Sequence, residues 1–319
     1  MKTWFLRRLE NLLQVGLLLG AIATLLSYAG TFFYQWQIDL FSHFHLQLGL
    51  GCLAVAGGLL LFRSWLLAGL GLLLSAAHWL SVSYYFMGSP VVPKPEGAPT
   101  LSVLTFNVLA SNQERSALWS YLTEDPPDVV LLQEIDREWA RFLAQKDGPW
   151  EHKYLQPRGR IEGHALLSRF PLKGMGMLNP NGTEAVGIAF ATIQPAGAPA
   201  VRFFSVHPLP SLNAELEKKS LHYLEALAEE VAREEGLVVV AGDFNRTPWS
   251  PPLAEFLKTT ALVDVRRGGG FPPTWKRFTL LGLPIDHLLV SRGISVLDQR
   301  VGPALGSDHH PVRAELALP

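Results

Sequence analysis

Cysteine is almost absent: Cys52 is the single one in 319 residues. That excludes an intramolecular disulfide framework and any multi-cysteine metal site. Cys52 itself lies in an apolar run and reads as a small buried hydrophobe. Charge is scarce in one region only. Residues 1–87 hold Lys2, Arg7, Arg8, Arg63, Glu10 and Asp39, which is four of the 27 basic and two of the 28 acidic side chains. The rest of the chain therefore carries 23 basic and 26 acidic groups, a formal net of −3. A protein that grips nucleic acid nonspecifically presents a basic field to the phosphates. The acidity weighs against that class without excluding a local basic patch.

Where charge is missing, apolar runs take its place. Leu12–Tyr34, Leu46–Phe62 and Trp65–Met87 contain 23, 17 and 23 residues without a full charge. A hydrocarbon core about 30 Å thick needs roughly 20 apolar residues of helix. The spacing predicts three transmembrane helices; a buried helical hairpin in a soluble protein is the alternative. A cleaved signal peptide does not fit, because the apolar runs continue far beyond any cleavage site. Lys2, Arg7 and Arg8 precede the first run and Arg63 sits between the second and third, whereas Gln35–His45 has no Lys or Arg. The positive-inside rule then places the N-terminus and Arg63 in the cytoplasm and everything after residue 87 outside. In a bacterium this is an integral inner-membrane protein with an extracytoplasmic domain. Trp36, Trp65, Tyr84 and Tyr85 fall near the ends of the runs, as interfacial aromatics do. His78, inside the third run, reads as a helix-packing or interfacial group rather than a functional one.

Three segments follow from this reading: a membrane anchor over 1–87, a linker over 88–99 and a soluble domain over 100–319. The linker, GSPVVPKPEGAP, has four prolines and forms neither a regular helix nor a central strand. Beyond it, short apolar runs alternate with turns. Leu101–Phe106, Val129–Gln133, Ala165–Ser168, Gly187–Ile193, Val201–His207, Leu237–Ala241, Ile285–Val290 and Val312–Leu316 read as strands. Glu114–Thr123 and Asn213–Glu235 read as helices, the second with Leu216, Leu221, Leu224, Leu227 and Val231 on one face. Such a mixture is an α/β fold of two packed sheets flanked by helices.

Polar residues recur where these strands begin or end. Asn107 closes TFN, Glu134 follows VVLLQ and His207 follows VRFFSV. Asp243 and Asn245 end VVVAGDFN, Asp286 and His287 open IDHLLV, and Asp308 and His309 precede the last strand in SDHHPV. Each alone has a bland reading as a turn former or loop residue. Six clusters, all at strand termini, converge on one sheet edge, where active sites are grafted onto folds. Carboxylates and amides without cysteine favour a hard cation, Mg²⁺ or Mn²⁺. Histidines beside them suit proton transfer near neutral pH. Together they equip a site to hydrolyse phosphate esters.

TFNV, LLQE, GDFN, IDH and SDHHPV, in this order, resemble the endonuclease/exonuclease/phosphatase superfamily, and the likeness runs from about residue 100 to 317. TPWS and PIDHLLVS are similar to stretches in bacterial membrane-anchored members. The resemblance implies a four-layered α/β sandwich and a set of roles. Glu134 would be the main metal ligand, with Asn107 and Asp308. His309 would contact the scissile phosphate or act as base, its imidazole held by Asp286. Asp243 would position or deprotonate the attacking water, Asn245 would bind phosphate, and His207 would assist the leaving group. His164 stands where many members carry Asn, and His287 and His310 are expected beside the site or exposed. Arg246, Trp249, Arg266, Arg267, Trp275 and Lys276 follow motif strands and read as a rim that selects substrate; the tryptophans equally fit as fillers between loops and sheet.

Three functions remain open at this level. One is a phosphodiesterase acting on a lipid or other small phosphodiester at the outer membrane face. The others are an extracytoplasmic nuclease on DNA or RNA and a non-catalytic membrane protein that keeps the fold for binding. The lipid bilayer is an expected partner through the N-terminal helices, and no obligate protein partner is implied.

Overall fold

The computed structural model describes residues 2–88, 91–159, 161–180, 182, 186–271, 273–276 and 279–319. Ser89 and Pro90 of the expected linker lie outside the described residues.

The N-terminal part is helical throughout: α1 (Lys2–Ala29), α2 (Trp36–Ser42), α3 (His45–Leu61) and α4 (Trp65–Val82), closed by a 3-10 turn at Ser83–Tyr85. Trp4–Ala29 and Trp65–Tyr85 are long and apolar enough to cross a membrane, and α2 with α3 makes a third span if that bent pair, 62° apart, counts as one. Small residues let these helices approach closely. Gly49, Cys52 and Ala56 of α3 face Ala68, Gly71 and Ser75 of α4 as buried positions three or four residues apart. A Cβ on Gly71 would come within 3.0 Å of the Ala56 Cβ. The stretch between the first two apolar runs, Gln35–His45, is mostly the short helix α2, whose Asp39 and Ser42 are buried.

Among the described residues, two six-stranded sheets with their flanking helices make up the rest. In chain order the elements are β1 (Thr100–Asn107), α5 (Arg115–Glu124), β2 (Val129–Gln133), α6 (Arg137–Ala144), β3 (His152–Gln156), β4 (His164–Ser168), β5 (Leu172–Leu178), β6 (Ile188–Ile193) and β7 (Val201–Val206). After them come α7 (Ala214–Arg233), β8 (Leu237–Asp243), α8 (Pro251–Thr260), β9 (Val263–Asp264), β10 (Asp286–Val290), β11 (Ser295–Val301) and β12 (Val312–Ala317). The sheet orders are β11-β12-β1-β2-β4-β3 and β5-β6-β7-β8-β10-β9.

Alternate residues of the central strands face inward and outward, and both faces are apolar because both are covered. Leu101, Val103, Val129 and Leu131 of the first sheet meet Val201, Phe203, Val239, Ala241 and Leu288 of the second in a shared core. Leu104, Phe106, Val130 and Leu132 face outward onto Leu118, Trp139 and Leu143 of α5 and α6. Phe204, Val206, Val238 and Val240 do the same onto Leu224, Leu227 and Phe256 of α7 and α8. The layers are helix, sheet, sheet, helix, as the resemblance implied.

Each sheet has one parallel pair at its centre, β1 with β2 and β7 with β8, flanked by antiparallel neighbours. The carboxyl ends of both parallel pairs meet at one edge. The antiparallel neighbours β10, β12 and β4 begin at that same edge, since Asp286 stands opposite Asp243 and His164 opposite Gln133. This topology gathers strand-end residues that are up to two hundred positions apart.

Candidate active site

Two of the strand ends adopt a backbone that only special positions tolerate. Glu134 has φ +61° and Asn245 has φ +51°. Left-handed backbone is permitted for Asn but strained for Glu by about 1–3 kcal/mol, a cost found at functional sites. The turn aims the Glu134 carboxylate back over the end of β1. There Asn107 Nδ2 donates to Glu134 Oε1 at 2.9 Å and to Asp243 Oδ2 at 3.1 Å, joining the two sheets. The Ala110 N–H donates to Glu134 Oε2 at 3.1 Å, and the Leu109 N–H to Asn107 Oδ1 at 3.0 Å.

His309 lies between two carboxylates. Its Nδ1 is 2.9 Å from Asp286 Oδ2, and its Nε2 is 3.6 Å from Asp243 Oδ2 and 4.0 Å from Asp308 Oδ1. Burial works against its charged form, but Asp286 and Asp243 outweigh it and push its pKa up to about 10. His207 Nε2 approaches Asp243 Oδ2 at 3.5 Å and Glu134 Oε1 at 3.9 Å. Its Nδ1 donates to the Ile161 carbonyl at 2.9 Å, because a carbonyl oxygen only accepts. Burial again opposes protonation, and the Asp243 and Glu134 carboxylates raise the pKa above its ordinary value. Asp243 shows the reciprocal effect: burial would raise it, but His309, His207 and the Asn245 N–H hold it down to about 2. The result is a buried line, Asp286–His309–Asp243–His207–Glu134.

Charge along this line does not balance. Three buried carboxylates face two imidazoles, and the half-exposed Asp308 adds a fourth. An oxygen-rich group with residual negative charge fits a hard divalent cation. Of the expected ligands, Asn107 and Glu134 are in contact, while Asp308 reaches the group only from beyond His309. Asp308 Oδ2 also accepts from Trp275 Nε1 at 2.8 Å. A second set, Asp243, Asp286 and His309, has ligating atoms within 4.8 Å of one another. Its His309–Asp286 contact is already a hydrogen bond, so it is better suited to hold a proton than an ion.

Supporting groups surround the line. Thr274 Oγ1 accepts from the N–H groups of Ile285 and Asp286, fixing the start of β10. Ser307 Oγ donates to the Asn107 carbonyl and accepts from the His309 N–H, clamping the last loop to β1. Asn245 Nδ2 donates to the Pro208 carbonyl at 3.0 Å and its N–H to Asp243 Oδ1 at 2.8 Å. Thr274 and Ser307 carried no pattern of their own in the sequence, although Ser307 adjoins Asp308.

Several expectations change. Arg246 and Arg266 are not rim residues: both are fully buried, against the N-terminal helices. Trp249 stacks on Phe271 and packs edgewise on His45 and Tyr85, so it fills that interface. Trp275, Lys276 and Arg267 keep partly or fully exposed positions. His287 is buried as well, with Nε2 donating to the Arg246 carbonyl at 2.9 Å. His164 is neutral, its pKa lowered to about 3 by burial and by nearby His207. It bridges Ser205 Oγ and the Gly187 carbonyl, behind the site. His310 is buried against the Gly302 carbonyl.

A two-sheet sandwich with a carboxylate–imidazole line at one edge defines a class of hydrolase-type scaffold. Residues 104–309 match the model of the endonuclease/exonuclease/phosphatase family, and the chain belongs to that family. A UPF0294 protein of Klebsiella pneumoniae (strain 342) is 25% identical over 249 residues, covering 76% of this chain and 77% of that one. An endonuclease/exonuclease/phosphatase from Beutenbergia cavernae has the same fold, with a TM-score of 0.58 at 19% identity over 69% of this chain and 72% of that one. The 3′ phosphatase NExo from Neisseria, solved with a product DNA hairpin, gives 0.53 at 22% identity over 67% and 98%. D. rerio TDP2, solved with a single-strand DNA product, gives 0.57 at 16% over 68% and 98%. These structural likenesses establish the fold.

Proposed function

We infer that the protein is a divalent-cation-dependent phosphodiesterase working at the extracytoplasmic face of a membrane, with residues 1–87 as anchor, 88–99 as linker and 100–319 as catalytic domain. The observation that carries this reading is the buried Asp286–His309–Asp243–His207–Glu134 line at the sheet edge. Glu134 and Asn107 would hold the cation, Mg²⁺ or Mn²⁺, with Asp308 completing the set. When bound, the cation supplies Lewis-acid polarisation of a phosphoryl oxygen.

The chain's own groups divide the remaining work. Asp243, kept ionised, orients a water for in-line attack on phosphorus. His309, protonated and held through Nδ1 by Asp286, offers its Nε2–H to a phosphoryl oxygen. The remaining N–H of Asn245 Nδ2 serves the same charge. His207, with Nδ1 committed to the Ile161 carbonyl, gives its Nε2 proton to the leaving oxygen.

Orientation is supported by how the helices end. Ser64 Oγ donates to Glu10 Oε1 at 2.7 Å, so the N-terminal end of α1 sits beside the turn that holds Arg63. The catalytic domain packs on the opposite end of the bundle. Arg7, Arg8 and Arg63 on the cytoplasmic side then leave the active site outside. Burial of Arg246 and Arg266 removes two cations from any nucleic-acid groove, which favours a lipid or small phosphodiester over DNA or RNA.

The test is hydrolysis by the full-length protein in bilayer discs with Mg²⁺ or Mn²⁺. The substrates are duplex DNA, single-stranded RNA, bis(p-nitrophenyl) phosphate, sphingomyelin and phosphatidyl lipids. Cation-dependent turnover of lipid substrates, lost in Glu134→Ala and His309→Ala, is expected. Preference for nucleic acid would overturn the substrate class, and no turnover of any diester would overturn the activity.

A further inference from the structure

Two arginines lie completely buried between the membrane helices and the catalytic domain, and each stands next to a catalytic strand end. Arg246 directly follows Asn245. Its NH1 donates to Asp39 Oδ2 of α2 at 2.9 Å and to the Tyr34 hydroxyl at 3.3 Å. Its NH2 donates to Glu217 Oε2 at 2.7 Å and Ser211 Oγ at 2.8 Å within the catalytic domain. Asp39 also accepts from Ser250 Oγ at 3.0 Å and Ser42 Oγ at 2.7 Å. Thr247 meets His43 Nδ1 at 3.0 Å. The loop 245–250 is thus held from the anchor side at three successive places.

Arg266 repeats the arrangement in the turn after β9, the strand paired with β10. Its NH2 donates to the Tyr85 hydroxyl at the end of the membrane helices at 2.9 Å, and meets Asp264 and His287 Nδ1. The Gly270 N–H donates to the Tyr85 carbonyl at 2.7 Å. His287 follows Asp286, and its Nε2 donates to the Arg246 carbonyl. The contacts therefore form one continuous path, Asp39–Arg246–His287–Arg266–Tyr85. It starts and ends in the anchor and passes immediately behind Asn245 and Asp286.

A guanidinium removed from water needs its donors matched by acceptors. Here the anchor supplies part of that match for both arginines. Without Asp39 the Arg246 side chain loses its charge partner on one side, and the backbone that sets Asn245 at φ +51° loses its tether. Loop contacts to Ser250 and Thr247 loosen with it.

We propose that Asp39 and Tyr85 of the membrane anchor are positioning residues of the active site, acting through Arg246 on Asn245 and through Arg266 and His287 on Asp286. This rests on the phosphodiesterase reading, but its structural half does not. The catalytic domain is then set in working order by the helices it is attached to, rather than merely tethered by them.

The experiment uses full-length protein in bilayer discs with bis(p-nitrophenyl) phosphate, a soluble diester that needs no membrane presentation. Wild type, Asp39→Asn, Asp39→Glu, Tyr85→Phe and the exposed α2 control Gln37→Ala are compared. Asp39→Asn is expected to lower kcat by about tenfold to a hundredfold with KM little changed. Asp39→Glu restores part of the rate, Tyr85→Phe gives a smaller fall in kcat, and Gln37→Ala matches wild type. Hydrogen exchange across residues 243–250 quickens in Asp39→Asn while β1 and β2 stay protected. Wild-type kcat and exchange in both Asp39→Asn and Tyr85→Phe would overturn the proposal, as would a loss carried by KM alone. If wild type turns over no diester, the phosphodiesterase reading falls. The exchange comparison then still decides whether the anchor orders the loop, and unchanged exchange overturns the proposal.

Discussion

Two networks of buried charge run side by side in this molecule. One lies at the sheet edge and pairs carboxylates with imidazoles: Asp286, His309, Asp243, His207 and Glu134. The other adjoins it through the neighbouring residues Asn245–Arg246 and Asp286–His287 and pairs carboxylates with guanidiniums: Asp39 and Glu217 with Arg246, and Asp264 with Arg266. Imidazoles change charge near neutral pH, whereas a guanidinium stays charged at any pH a protein meets. The contrast separates a network whose cationic members are imidazoles from one anchored by two guanidiniums, which His287 links together. It also shows where the scarce charge of the apolar N-terminal helices goes: Asp39, one of two acidic residues in the first 87, meets Arg246 in the loop after β8 instead of water.

The contrast breaks first if the imidazole network proves dispensable. Chelation of the divalent cation should reduce hydrolysis to background, with recovery on adding Mg²⁺ or Mn²⁺. His309→Ala should lower kcat by about 10²–10⁴-fold, measured at a temperature where the variant is still folded. Asp286→Asn should lower kcat as well, because His309 then loses the carboxylate that orients it. The double variant should be little worse than His309→Ala alone, since the two act as a unit. Additive losses in a steady-state assay would separate the pair.

The guanidinium network should answer in stability. Asp264 and Arg266 are both fully buried, and Asp264→Ala leaves the arginine uncompensated. A loss of about 3–5 kcal/mol is expected, read as a fall in the unfolding midpoint of the detergent-solubilised protein. An Asp264→Ala midpoint within experimental scatter of wild type would mean that Tyr85 and His287 suffice for Arg266. The two networks would then be less distinct than their chemistry implies.

The sequence disclosed these networks unequally. Asn107, Glu134, His207, Asp243, Asp286 and His309 each end or begin an apolar run, so strand pattern and chemistry point to the same edge. Strands β3, β5, β9 and β11 went unread because their pattern is weak or short; Leu172–Leu178 is LKGMGML, with two glycines and no buried residue. Helix α6 has only 8 residues, and α8 opens on Pro251 and Pro252 within a run that reads as a turn, so neither stood out. The anchor contacts had no local signal at all. Asp39 and Arg246 are 207 positions apart, and each alone looks like a polar loop residue beside an apolar run. Only the packing of α2 on the loop after β8 reveals that Arg246 faces inward rather than toward substrate.

The smallest effect concerns acid, and it sets the sign of the whole comparison. Burial would raise the Asp264 carboxyl, yet Arg266 and His287 hold it down to about 2. A carboxylate depressed in the folded state binds its proton more readily when the chain unfolds. Its contribution is therefore complete above the ordinary carboxylate range near pH 4 and is lost as pH falls toward 2. For one such group the loss is about 2 kcal/mol. Asp243, also held near 2, titrates in the same window through His309 and His207. Salt-bridged carboxylates on both networks thus make acid a common weakness. Stability followed by tryptophan fluorescence from pH 5 to 2 should fall in wild type, and part of that slope should disappear in Asp264→Asn. A slope unchanged by that substitution would assign the acid sensitivity to the imidazole network alone.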